Sequence, residues 1–195
     1  YYSFFGGRLG LDENGRNYSP DDEDLDAAIS RIREKPADQP LCLFLGTVNP
    51  HPPYQVEEPY YSAIDRNRLP PRIRPEDCTG KPDIENAIRV HQGMEQYTEE
   101  DWSELRACYL GMCMKVDDMF RKLCDALKEA GEYDNSAIFF FSDHGDFTGD
   151  YGLSEKAQNA FEDCLTKVPF LVKPPKGFDL DAGISDSLVE LVDFY

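Results

Sequence analysis

Apolar residues recur along this chain at helical spacing in two places. Leu25, Ala28, Ile29 and Ile32 fall at i, i+3, i+4 and i+7, which predicts an amphipathic helix. Ser19 suits its N-cap, Pro20 its first helical position, and Asp21 and Asp22 its first turn. Arg31, Arg33 and Lys35 favour the C-terminal end of the dipole, and Pro36 stops it. A longer stripe runs through Trp102, Leu105, Tyr109, Met112, Val116, Met119, Phe120, Leu123 and Leu127. Thr98-Glu99-Glu100-Asp101 opens it and Gly131 closes it. A helix of ~30 residues spans ~45 Å. Its other face, with Glu104, Lys115, Lys122 and Lys128, is expected in solvent.

Two short runs are continuously apolar: 41–47, Leu-Cys-Leu-Phe-Leu-Gly-Thr, and 137–141, Ala-Ile-Phe-Phe-Phe. Both read as buried strands. With helices between and around them they predict an α/β architecture. Residues 1–18 read as mostly loop. Prolines at 52, 53, 59, 70, 71, 75 and 82 forbid long regular elements through that stretch, which reads as a long ordered excursion. Residues 185–195 read as a helix with no C-cap signal, and the chain opens on Tyr1-Tyr2-Ser3. Residues 1–195 are therefore expected to be a single domain cut at both ends.

The chain has 195 residues, 20 Lys+Arg against 38 Asp+Glu, and a formal net charge of −18. That balance argues against nucleic acid or an anionic membrane as a partner. No apolar run approaches the ~20 residues of a membrane helix. The acidic runs Asp21–Asp24 and Glu99–Asp101 are most simply solvated helix N-termini. The six cysteines form no CxxC pair or zinc spacing. Free buried thiols in a reducing, cytoplasmic compartment are the favoured reading, with a scattered disulfide as the alternative.

Candidate chemistry begins where the second run ends, at Ser142-Asp143-His144-Gly145-Asp146. In open α/β sheets ligands bind at the carboxyl ends of strands. A carboxylate and an imidazole delivered there together suit a divalent metal; the plain alternative is a turn that caps the next segment. His51 follows the first run in Asn49-Pro50-His51-Pro52-Pro53, and Lys156 follows Gly149-Asp150-Tyr151-Gly152-Leu153. A loop histidine held by prolines and a solvated surface lysine are their plain alternatives. Tyr54, Tyr60 and Tyr61 suit either stacking on a substrate or, more simply, packing of their loop.

The ordered set Ser-Asp-His-Gly at 142–145, Gly-Asp-x-Gly-Leu-x-x-Lys at 149–156 and Val-Pro-Phe-Leu-Val at 168–172 resembles the C-terminal metal-binding segment of the sulfatase family, part of the alkaline phosphatase superfamily. The apolar run, Pro-His-Pro loop, long helix and second run follow the family's order more softly. The resemblance implies an alkaline-phosphatase-like sandwich with a mostly parallel central sheet flanked by helices. It implies Asp143 and His144 as metal ligands, most simply to calcium. It also implies that Lys156 and His51 bind the sulfate and serve catalysis, with His51 near the leaving oxygen. Asp146 receives no firm role.

The family's formylglycine arises from Cys or Ser in a Cys/Ser-x-Pro-x-Arg motif, and no Cys or Ser here stands in one. The family's paired N-terminal acids have no match either, because Asp21-Asp22 starts a helix. The nucleophile and half the metal site are expected upstream. The implied function is hydrolysis of a small-molecule or glycan sulfate ester by the parent protein. The alternatives are a phosphodiesterase or phosphonate monoester hydrolase of the same superfamily, or a non-catalytic binding domain that kept the fold.

Overall fold

The computed structural model describes residues 5–194 except 16, 18, 158 and 179. The stretch expected to be loop holds a strand, β1 (Phe5–Arg8), which pairs in parallel with β2 (Tyr54–Val56), with a register irregularity between Phe5 and Gly7. Neither strand was legible in the apolar pattern, because two glycines break the first and the second is only three residues long.

Between them lies α1 (Pro20–Arg33), with the predicted start. The Ser19 N–H and Oγ–H both donate to Asp22 Oδ2, at 2.8 and 2.7 Å. Leu25, Ala28 and Ile32 are buried as expected. After β2 come a single turn, α2 (Tyr60–Ala63), and an unforeseen helix, α3 (Asp83–His91).

The predicted long helix is α4 (Glu99–Glu129), 31 residues with Thr98 as N-cap. Asp101 N–H donates to Thr98 Oγ1 at 3.2 Å and Thr98 N–H to Asp101 Oδ2 at 2.8 Å, a reciprocal cap. Gly131 follows its end at a φ of 73°. Trp102, Leu105, Cys108 and Met112 join Tyr54, Val56, Phe147, Leu153 and Leu165 in the core. The helix thus packs against β2 and the loops after residue 142 in one shared core.

β3 (Ile138–Phe141) forms as predicted; after α5 (Asp163–Thr166), β4 (Phe170–Lys173) pairs with it antiparallel, Ile138 opposite Lys173 and Phe141 opposite Phe170. Helices and strands make an α/β molecule, and among the described residues the strands form one parallel and one antiparallel pair.

Several expectations fail. Residues 41–47 form no strand, and Leu43 and Phe44 are exposed. A strand needs a ladder partner for its backbone groups, and none lies beside this run among the described residues. Residues 185–190 are not helical, and only a 3₁₀ turn forms at Leu191–Phe194. Ile184 and Leu188 are fully exposed and Val189 half-exposed, and an isolated helix of this length is marginal in water.

Lys115 is buried rather than exposed; its ammonium lies 2.9 Å from Asp22 and 2.8 Å from Glu57. Asp21 and Asp22 are accordingly not a solvated helix start. All six thiols are free, with Cys108 and Cys124 buried and Cys42 exposed. Among the described residues no helix is long and apolar enough to cross a membrane.

Candidate metal and anion site

β3 delivers Ser142, Asp143 and His144 at its carboxyl end. The backbone there is pinned: Gly145 N–H donates to Leu165 O at 2.8 Å and Asp146 N–H to Cys164 O at 3.1 Å. The approach is so close that a Cβ on Gly145 would run into the Cys164 carbonyl. Asp143 reaches outward with its side chain 80% exposed, and its Oδ1 accepts His144 N–H at 3.0 Å. His144 is more enclosed, and its Nδ1 sits 2.7 Å from Gly145 O. A carbonyl only accepts, so Nδ1 carries the proton and Nε2 presents a lone pair.

His51 repeats that logic. Its Nδ1 lies 2.8 Å from Pro52 O, which fixes a proton on Nδ1 and turns Nε2 toward Lys156. Lys156 Nζ lies 2.9 Å from Nε2 of His51. Glu155 Oε1 completes the triangle, 3.0 Å from Lys156 Nζ and 3.2 Å from His51 Nε2. The rings of His51 and His144 meet edge to face with centroids 6.1 Å apart. His51, His144 and Lys156 are thus brought together, with Asp143 beside His144.

The loop carrying Lys156 is held by Tyr54, which is fully buried. The Tyr54 hydroxyl donates to the Asp146 carboxylate at 2.8 Å and accepts Glu155 N–H at 2.7 Å. One phenol therefore ties the Asp-His segment to the Lys segment. Burial pushes the Asp146 carboxyl up, against the hydrogen bonds from Tyr54 and Thr148. Burial and the neighbouring Asp146 charge push the Tyr54 phenol up as well, so it stays a donor. Phe147 N–H to Glu155 O at 2.9 Å and Gly149 N–H to Leu153 O at 2.7 Å close the loop. Thr148, Tyr151, Glu155 and Asn159 all sit at φ between 48° and 64°, the left-handed region. Non-glycine residues there cluster where surrounding structure overrides local preference.

Tyr54 was foreseen as packing or stacking, and it packs. Glu155 and the linking role of Asp146 were missed. Glu155 offered one signal, its place beside Lys156. His91, without a motif in the sequence, is exposed and away from these contacts.

Among the described residues no group of three or more His, Cys, Asp or Glu side chains is arranged to hold a metal ion. The donors that are present fit a divalent cation in part. Asp143 Oδ1 and His144 Nε2 are 3.9 Å apart. Two bonds of ~2.4 Å meeting at ~110° span about that distance. An ion taking 6–8 ligands needs more donors than these two.

The sulfatase family model matches residues 2–195. The multifunctional alkaline phosphatase superfamily protein PehA of Trinickia caryophylli is 29% identical over 176 residues, covering 80% of this chain and 32% of PehA. Arylsulfatase K of Danio rerio is 28% identical over 193 residues, covering 87% of this chain and 35% of that protein. Among solved structures, the phosphonate monoester hydrolase of Agrobacterium radiobacter superposes with a TM-score of 0.65 at 26% identity, over 86% of this chain and 36% of that one. The chain spans about a third of the length of these relatives. The family model's match over residues 2–195, together with a fold shared with a phosphonate monoester hydrolase over 86% of the chain, places the chain in the sulfatase family of the alkaline phosphatase superfamily.

Proposed function

We propose that this chain carries the metal-binding and sulfate-facing part of the catalytic domain of an enzyme that hydrolyses a sulfate ester. The observation that supports it most is the convergence of His51, His144 and Lys156 from distant parts of the chain. The family implies a divalent metal and a formylglycine nucleophile. In this reading the metal is calcium, held in part by Asp143 and His144, and the nucleophile lies outside residues 1–195. A cation bound there would offset negative charge on the sulfate oxygens.

The chain's own residues do the rest. Lys156 supplies a fixed positive charge to the anion, steered by Glu155. His51 anchors its Nδ1–H on Pro52 O; as the imidazolium it carries a second proton on Nε2, beside Glu155 Oε1 at 3.2 Å, and it gives that proton to the leaving oxygen and returns to the neutral ring. Glu155 restrains both side chains, and Tyr54 fixes Glu155. The net charge of −18 makes this local cation the feature that draws an anionic substrate onto an acidic body.

The structural match to a phosphonate monoester hydrolase supports a second reading, a phosphonate ester substrate at the same residues. The test is the full-length protein assayed with nitrophenyl sulfate and with a phenyl phosphonate ester, with and without chelator. The expected result is preference for the sulfate ester, loss of turnover on chelation, and a fall of at least ~100-fold on Asp143→Ala. Preference for the phosphonate ester would favour the second reading. Full activity of the Asp143→Ala variant would overturn both.

A further inference from the structure

We infer that Asp21 is a positioning residue for His51, an inference that rests on the reading of His51 as proton donor to the leaving oxygen. Asp21 stands in the first turn of α1 and is only 2% exposed. Its Oδ1 accepts Val48 N–H at 2.9 Å. Its Oδ2 accepts Asn49 N–H at 2.8 Å and Asn49 Nδ2–H at 2.6 Å. All three bonds therefore come from the first two residues of the histidine loop. That loop is a turn closed by His51 N–H to Val48 O at 2.8 Å. Fixing Val48 and Asn49 fixes where His51 begins.

Among the described residues no strand pairing holds this segment. Residues 41–48 have no ladder partner among the described residues, and Val48 is exposed. The other end of the clamp is rigid. Asp22, the next residue, binds Lys115 of α4, and Lys115 also binds Glu57 just past β2. The first turn of α1 thus joins the main body of the fold to the His51 loop through two adjacent carboxylates.

The chemistry demands a carboxylate. Three donors converge on two oxygens, and an amide has only one oxygen to offer. Its NH₂ would face a backbone N–H, leaving that donor unpaired. The first helical turn also favours a negative charge.

Leaving-group dependence separates positioning from mere stability. A general acid matters most when the departing oxygen is a poor leaving group. In the full-length protein, Asp21→Asn is expected to lower kcat/KM at least ~10-fold for an unactivated alkyl sulfate and less than ~3-fold for nitrophenyl sulfate. His51→Gln should show the same selectivity more deeply. Asp22→Asn, which breaks the arm to Lys115, should lower Tm and affect both substrates alike.

A folded Asp21→Asn variant with equal effects on both substrates, beside a selective His51→Gln, would overturn the inference while leaving the role of His51 intact. A His51→Gln variant without selectivity would overturn that role and this inference together. Should Asp21→Asn fail to fold, Asn49→Ala removes only the 2.6 Å donor. It is expected to show the same selectivity at smaller size, and a uniform effect there would overturn the inference.

Discussion

Lys156 Nζ lies 2.9 Å from Nε2 of His51, although 105 positions separate the two residues and neither belongs to a helix or strand. Two loops meet there, and their precision comes from what holds each loop. For Lys156 the holder is Tyr54 acting on Glu155; for His51 it is Asp21 acting on Val48 and Asn49.

Replacing Lys156 by alanine is expected to weaken inhibition by inorganic sulfate at least ~10-fold in the full-length protein. The side chain is partly exposed, so stability should change by less than ~0.5 kcal/mol. Inhibition constants and Tm for the two proteins check both halves.

Tyr54→Phe keeps the ring and removes the hydroxyl. The buried Asp146 carboxylate then loses a donor and Glu155 N–H loses its acceptor. The expected cost is about 1–3 kcal/mol in denaturant unfolding. Because the freed Glu155 no longer restrains Lys156, KM for the sulfate ester should rise more than kcat falls.

Lys115 gives the fold a two-sided pH dependence. Burial pushes the Asp22 carboxyl up, but hydrogen bonds from Ser19 and Lys115 outweigh it and hold it below the usual carboxylate range. As pH falls the unfolded chain takes up that proton first. The Asp22 contribution is therefore complete above about pH 4 and lost as pH falls through the lower folded value. Burial pulls Lys115 down, but Glu57 and Asp22 outweigh it and raise its pKa above the ordinary lysine value. Its contribution is complete below about pH 10 and lost as pH rises through the folded value. Lys115→Met, which leaves two carboxylates facing each other, should cost about 3–5 kcal/mol at neutral pH. The stability difference between the two proteins should shrink toward both pH extremes, as Tm measured across pH will show.

Calcium affinity should distinguish the chain from its parent. Residues 1–195 supply Asp143 and His144, against the 6–8 donors calcium takes. Titration calorimetry on the 195-residue chain is expected to give a Kd no tighter than about 10⁻³ M, and on the full-length protein at least ~100-fold tighter. Micromolar binding by the chain alone, lost on Asp143→Ala, would show the site to be complete here.

Both long helices were legible because caps and apolar spacing agreed: Ser19 with Leu25 and Ile32, Thr98 with Trp102 and Met112. The Asp143, His144, His51 and Lys156 cluster was legible only through motif order, since no local pattern brings residue 51 to residue 156. The apolar run 41–47 misled, because hydrophobicity announces a strand while only a neighbour makes one. β1 and β2 were missed because three or four residues carry too little periodicity. The buried charged residues did leave a trace. Asp21, Leu25, Ala28 and Ile32 share one spacing, and Cys108, Met112, Lys115 and Met119 repeat it. A charge on each core stripe marks a residue whose partner lies elsewhere in the chain.

That shared spacing sets what changes in gene length α1 can accept. Successive residues on a helix turn by about 100°. Asp21 and Asp22 must face the His51 turn and Lys115 while Leu25, Ala28 and Ile32 face the core. An extra codon anywhere between Asp22 and Leu25 would swing the acids away from both partners, and no rotation of the helix restores them with the core in place. Glu23 and Asp24 are exposed, so codon changes there are free where codon insertions are not. Relatives that keep both carboxylates should therefore align through this turn without a gap.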